Sequence, residues 1–167
     1  MELQIAASNE SDMMSDTQIS ANADFLSFSL ANELYGVDIK DVEEIRVWER
    51  PTPIPRAPKF VKGVINLRGM IVPVVDLRAR FNVGTCTYLP TTVVLVLRHV
   101  QEEKERLMGL VVDAVADVVS QGEQTLTPPM GDSSVIPFTQ GLLNVEEKVM
   151  SLLDTESLLN MDSIMKG

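Results

Sequence analysis

The chain contains a copy of part of itself, and this limits its fold more than any other feature. The segment "YGVDIKDVEEI" (Tyr35 to Ile45) lies without a gap over "MGLVVDAVADV" (Met108 to Val118), pairing Gly36 with Gly109, Ile39 with Val112, Val42 with Val115 and Ile45 with Val118. Further on, "GVINLRGMIVPVVD" (Gly63 to Asp76) lies over "GLLNVEEKVMSLLD" (Gly141 to Asp154), pairing Asn66 with Asn144, Ile71 with Val149 and Asp76 with Asp154. One such match arises easily, since apolar alternation recurs in any β protein. Two in the same order, separated only by a five-residue insertion in the intervening loop, mark a duplicated unit.

The unit is made of strands. Leu26, Phe28 and Leu30 alternate with Ser27 and Ser29, and Tyr35, Val37 and Ile39 alternate with Gly36 and Asp38, with Ala31 to Leu34 as a hairpin loop. Thr91 to Leu97 and Leu107 to Val112 repeat the theme around a charged loop, "RHVQEEKER". The C-terminus alone reads as helical, Asp154 standing as N-cap before Leu158, Leu159 and Met161. About five short strands per unit suit a small closed barrel that leaves no exposed edge, and two barrels packed together supply a core that one lacks. The fold class is all-β: two pseudo-symmetric five-stranded barrels and a short C-terminal helix. The first unit spans about 24–88 and the second about 89–162, with strand exchange between them; 1–23 and 163–167 are tails.

Composition narrows the function. The leading 1–23 carry Glu2, Glu10, Asp12 and Asp16 with no Lys or Arg, and read as a disordered acidic tail without a secretory signal. The longest aliphatic runs, such as Val93 to Leu97, are far short of a bilayer span of about 20 residues. A single Cys86 fits a reducing compartment, so a cytoplasmic protein is predicted. Net charge is −10, yet eight basic residues face two acidic ones between Ile45 and Arg80. Overall acidity and the lack of interleaved aromatic residues argue against nucleic acid as the partner of this basic stripe.

Catalytic constellations are not visible. His99, the one histidine, reads as an exposed loop residue, and no phosphate loop, nucleophile elbow or His-Glu-x-x-His helix occurs. The adjacent carboxylates Glu43 and Glu44 are expected to point apart in an extended segment. No catalytic residue, cofactor or metal is assigned, and the predicted product of the fold is a surface. Its most conspicuous point is the turn Asn66-Leu67-Arg68-Gly69, read as type I with Leu67 and Arg68 at the exposed corner. The second copy has Asn144-Val145-Glu146-Glu147 there, so the fold does not require the arginine. Pro73, lacking an N–H, predicts an edge or a bulge in the returning strand.

The blocks "FLSFSLANELYGVDIKDVEEI", "PIPRAPKFVKGVINLRGMIVPVVDLR" and "TTVVLVL" with "MGLVVDAVADV" together resemble the CheW family of bacterial chemotaxis adaptors, over about Asp24 to Met161. The resemblance implies two intertwined SH3-like barrels and a non-catalytic scaffold that couples methyl-accepting chemoreceptors to the histidine kinase CheA. It implies a receptor helical tip in the groove between the barrels. It also implies barrel-to-barrel pairing with the kinase's regulatory domain, recruitment to receptor clusters at the inner membrane without insertion, and a free monomer. Receptor-side positions carried over are Val42, Glu44, Thr52, Gly63, Arg68, Thr92 and Val93; kinase contacts are not assigned. The loop Ser120 to Pro137 lacks the basic and aromatic residues that family members often place there, and Gln101 to Arg106 is a longer insertion than usual. An adaptor of a non-flagellar chemosensory pathway and, more remotely, a small β-barrel enzyme or nucleic-acid binder remain the alternatives.

Overall fold

The computed structural model describes residues 23–85, 87–130 and 134–160. The expectations for 1–22, Cys86, Met161 and 163–167 lie outside the described residues. The strands are β1 (Asp24–Leu30), β2 (Glu33–Asp38), β3 (Val42–Val47), β4 (Val61–Leu67), β5 (Met70–Asp76), β6 (Val93–Gln101), β7 (Lys104–Val112), β8 (Ala114–Ser120), β9 (Thr139–Val145) and β10 (Lys148–Leu153). Two short helices, α1 (Leu77–Phe81) and α2 (Thr155–Leu158), follow β5 and β10.

One sheet has the order β8-β1-β2-β10-β9 and the other β3-β6-β7-β5-β4. Replacing each strand of the first by its counterpart in the other half of the chain produces the second. Each sheet therefore takes its first hairpin from one repeat and its last three strands from the other. The two parallel pairings, β2 with β10 and β5 with β7, are where the halves interlock. They are also where Gly36 and Gly109 of the repeat sit, beside Met150 and Val94, with room for no side chain of their own.

Alternation sorts the side chains into three cores. Along β6, Val94 and Val96 enter a cluster with Leu67, Val72, Val74 and Val111, all from one sheet. Leu95 and Leu97 point the other way, into a larger cluster that joins Phe28, Tyr35 and Val37 of the first sheet to Leu110 of the second and to Leu77 and Phe81 of α1. The first sheet has its own private cluster of Phe25, Leu143, Met150 and Leu152. A sheet whose face is buried only by its own side chains must curl on itself, so each sheet is a barrel wall and the largest core lies between the barrels. Strands buried on both faces need unbroken apolar runs, which is why "VVLVL" shows no polar alternation.

The gap in each barrel is bridged by the loop after its first edge strand. Thr52 exchanges backbone hydrogen bonds with Val64 of β4 (3.0 and 2.8 Å), and Thr127 does the same with Leu142 of β9 (3.0 and 2.7 Å). The halves are further joined by charge. Arg78 of α1 donates to both carboxylate oxygens of Asp113, its Nε at 2.8 Å, while Asp113 also accepts from the Ala31 amide at 2.9 Å. Arg80 lies between the rings of Phe60 and Phe138, 4.6 and 4.8 Å from their centroids. The two phenylalanines are equivalents in the repeat, so the guanidinium marks the approximate dyad.

Several local expectations need correction. The charged segment "RHVQEEKER" is strand rather than loop: β6 and β7 run on to a two-residue turn at Glu102 and Glu103, and His99 pairs with Arg106. The first hairpin turn is only Ala31 and Asn32, both at positive φ. In the β4–β5 hairpin, Arg68 (φ 51°) and Gly69 (φ 89°) form the turn, so Leu67 belongs to β4 and is buried, not exposed. All three have the paired left-handed residues of a type I′ turn, whose twist matches the flanking strands where type I would splay them. The C-terminus is also not the sole helix. Asp76 caps α1 by accepting from the Arg78 amide at 3.0 Å, as its counterpart Asp154 precedes α2. Pro73 precedes the β5–β7 ladder by one residue, so its missing N–H costs that ladder nothing.

Candidate functional site

The β4–β5 hairpin carries Arg68 across the barrel gap to the start of β3. Its guanidinium reaches Glu43 at 3.0 Å and Glu44 at 3.3 Å, and Glu44 also accepts from Arg46 at 3.3 Å. Neighbouring residues of a regular strand face opposite sides. Here the ladder with β6 slips between Val42 and Glu44, leaving Glu43 as an extra, unpaired residue. The bulge turns both carboxylates toward one arginine, contrary to the expectation that they diverge. The Arg68 side chain is 63% exposed, so each of these pairs contributes only about 0–1 kcal/mol.

Beside this polar cluster runs an apolar strip. Val42, Ile45 and Val47 of β3 pair with Leu97, Leu95 and Val93 of β6, which places all of them on the side of the inter-barrel core. Ile45 and Val47 lie at its margin, 47% and 70% exposed. Sequence reasoning missed these two. The alternation in "EEIRV" was the available signal, with Ile45 and Val47 on one face and Glu44 and Arg46 on the other.

The seven carried-over positions do not form one surface. Arg68 and Glu44 touch each other; Val42 and Val93 are half-buried at opposite ends of the β3–β6 ladder, about 13 Å apart. Thr52 is exposed, and its backbone closes the barrel. Gly63 is buried, with φ at +145° and a Cβ position that would lie 2.1 Å from the Thr52 carbonyl oxygen. Thr92 is only 3% exposed. Its Oγ1 accepts from the Leu89 amide at 2.8 Å and its carbonyl accepts from the Trp48 amide at 3.3 Å. Gly63 and Thr92 are thus buried, whereas Glu43, Ile45, Val47 and Arg68 are exposed, with Glu44 partly so. Among the described residues no group of His, Cys, Asp and Glu is arranged to hold a metal ion.

The model of the CheW-like domain matches residues 24–163. The chain belongs to the CheW family. It is 40% identical over 143 residues to the chemotaxis protein CheW of Klebsiella aerogenes, covering 84% of each chain. With that of Rhizobium meliloti it shares 34% over 140 residues, covering 81% of this chain and 86% of the relative. The crystal structure of the scaffolding protein TtCheW from Thermoanaerobacter tengcongensis superposes with a TM-score of 0.71 at 34% identity, over 80% of this chain and 84% of that one. As a CheW protein, the chain is a non-catalytic scaffold of chemotaxis signalling. No helix among the described residues is long and apolar enough to cross a membrane.

Proposed function

We propose that this CheW protein couples methyl-accepting chemoreceptors to the histidine kinase CheA, working in the cytoplasm at receptor clusters on the inner membrane and monomeric when free. The receptor's helical tip lies along β3 and the β4–β5 turn, and the kinase's regulatory domain pairs with a barrel elsewhere. The observation that carries this reading is the exposed Arg68–Glu43–Glu44 cluster flanking the exposed Ile45 and Val47. A helix laid in such a groove buries apolar area on the strip and meets a charge pattern at the rim that fixes its register. Arg68 is already positioned by two carboxylates, so a receptor carboxylate or carbonyl finds the forked donor preorganised.

The test is Arg68→Ala in pull-downs with receptor signalling fragments and in receptor-coupled CheA autophosphorylation. Binding weaker by about tenfold or more is expected, as for loss of a charge-assisted contact, with an unchanged thermal transition. Alanine is the sharper probe, because Arg68→Glu adds a third carboxylate beside Glu43 and Glu44 and disturbs the free protein. Unchanged affinity and kinase activation in the alanine variant would refute the placement of the receptor.

A further inference from the structure

A second recognition feature lies beyond the other end of β3, four residues from Glu44 and about 13 Å along the strand. The indole of Trp48 stacks on the ring of Tyr88, centroids 4.2 Å apart and planes 6° from parallel. Both partners are fixed from behind. The Tyr88 hydroxyl donates to Asp76 Oδ2 at 2.8 Å, Asp76 being 2% exposed, and the Trp48 amide donates to the Thr92 carbonyl. With Pro51, Pro53, Arg50 and Lys62 the two rings line a cavity of about 240 Å³ open to solvent. Prolines on the wall restrict the backbone, so little conformational freedom is lost on filling it.

The pocket's charges are both positive, on a chain that is acidic overall. Asp and Glu number 24 against 14 Lys and Arg. Arg50 and Lys62, the two cationic lining groups, meet no carboxylate among the described residues. An apolar aromatic floor with two unneutralised cations at its rim is complementary to an apolar side chain next to a carboxylate. The cavity is smaller than the roughly 300–1,000 Å³ of small-molecule sites, and the chain's net −10 disfavours a ligand with several phosphate charges.

We propose that this pocket docks an acidic peptide segment of a partner protein, a proline or leucine side chain lying against Trp48 and a carboxylate held by Arg50 and Lys62. Its lining shares no residue with the Arg68–Glu43–Glu44 cluster.

Trp48 is the one tryptophan, so it reports on the pocket directly. The full chain is titrated with the capped peptide acetyl-Glu-Pro-Leu-Glu-amide, following Trp48 emission and its indole N–H resonance. Controls are the same peptide with Gln for Glu, and inorganic phosphate and AMP. A saturable response to the acidic peptide is expected, weakening with added salt. Arg50→Gln and Lys62→Gln should each raise its Kd about tenfold, the loss of one charge-assisted contact. Tyr88→Phe, which keeps the stack, should retain binding, and unchanged circular dichroism should show that each variant folds. An equal response to the neutral peptide, no change in either glutamine variant, or no saturable signal at millimolar peptide would overturn the proposal. A response to AMP or phosphate in place of the peptide would also overturn it, assigning the pocket to phosphate ligands.

Discussion

Replacing Gly63 by alanine tests whether that position acts through the fold and not through direct contact with a partner. The added Cβ would stand 2.1 Å from the Thr52 carbonyl oxygen and 2.7 Å from its carbon, both backbone atoms that cannot swing away. It would also force a side chain into φ +145°, a region that costs non-glycine residues of order 1–3 kcal/mol. Relief requires opening the Thr52–Val64 bridge, whose two hydrogen bonds contribute about 0.5–1.5 kcal/mol each. A loss of about 3–5 kcal/mol follows, corresponding to a fall in Tm of about 10–15 °C for a protein of this size. Calorimetry on Gly63→Ala, with Arg68→Ala alongside, is the assay. The glycine variant should lose stability and receptor binding together, and the arginine variant binding alone. A Tm for Gly63→Ala within about 2 °C of the parent would refute the steric argument.

Three further outcomes follow from the junction between the barrels. Burial alone would raise the Asp113 pKa, but the hydrogen bonds from Arg78 and the Ala31 amide, with the Arg78 charge, outweigh it and hold it below the usual 3.8. A depressed carboxyl pKa stabilises the fold above the unfolded value and loses that contribution as pH falls through the folded one. Urea unfolding of Asp113→Asn should therefore show a flatter decline below pH 4 and a cost near neutrality of about 2 kcal/mol, as the pair is only partly buried. Arg80→Ala should cost about 1–2 kcal/mol from its two ring contacts, with Arg80→Lys recovering part of it in the same measurement. Burial, with Glu33 adding charge and a hydrogen bond, raises the Tyr35 phenol to about 12. Its raised pKa supports the fold below pH 10 and ceases to as pH rises through about 12, so tyrosinate absorbance should show one of the two tyrosines ionising only there.

Much of this architecture was legible before any coordinates. The repeat placed Gly36 over Gly109 and Gly63 over Gly141, and each pair proves to share a setting: a parallel ladder for the first, a bridging threonine carbonyl for the second. The same alignment held an unused prediction. Asp76 stands over Asp154, so the N-cap recognised before α2 also announced α1, which the apolar run ahead of it disguised as strand. The hairpin tips were harder. Ala31, Arg68, Glu102 and Glu103 are not residues that advertise positive φ, and only the pairing of the flanking strands forced them there. Around the β4–β5 turn, the sequence pointed to Arg68 and Glu44 but not to their mutual pairing, which depends on a bulge that no local pattern encodes.

By itself the sequence determined the kind of element, the duplication and the arginine at the tip, because period-two alternation, turn chemistry and internal similarity are local or pairwise properties of the string. Only the tertiary structure decided which strands were exchanged and that Gly63 and Thr92 are buried. It alone put two carboxylates on Arg68 and left Arg50 and Lys62 without one among the described residues. Those outcomes turn on register and closure, where a slip of one residue carries a side chain to the opposite face at no cost to the pattern that a single strand displays.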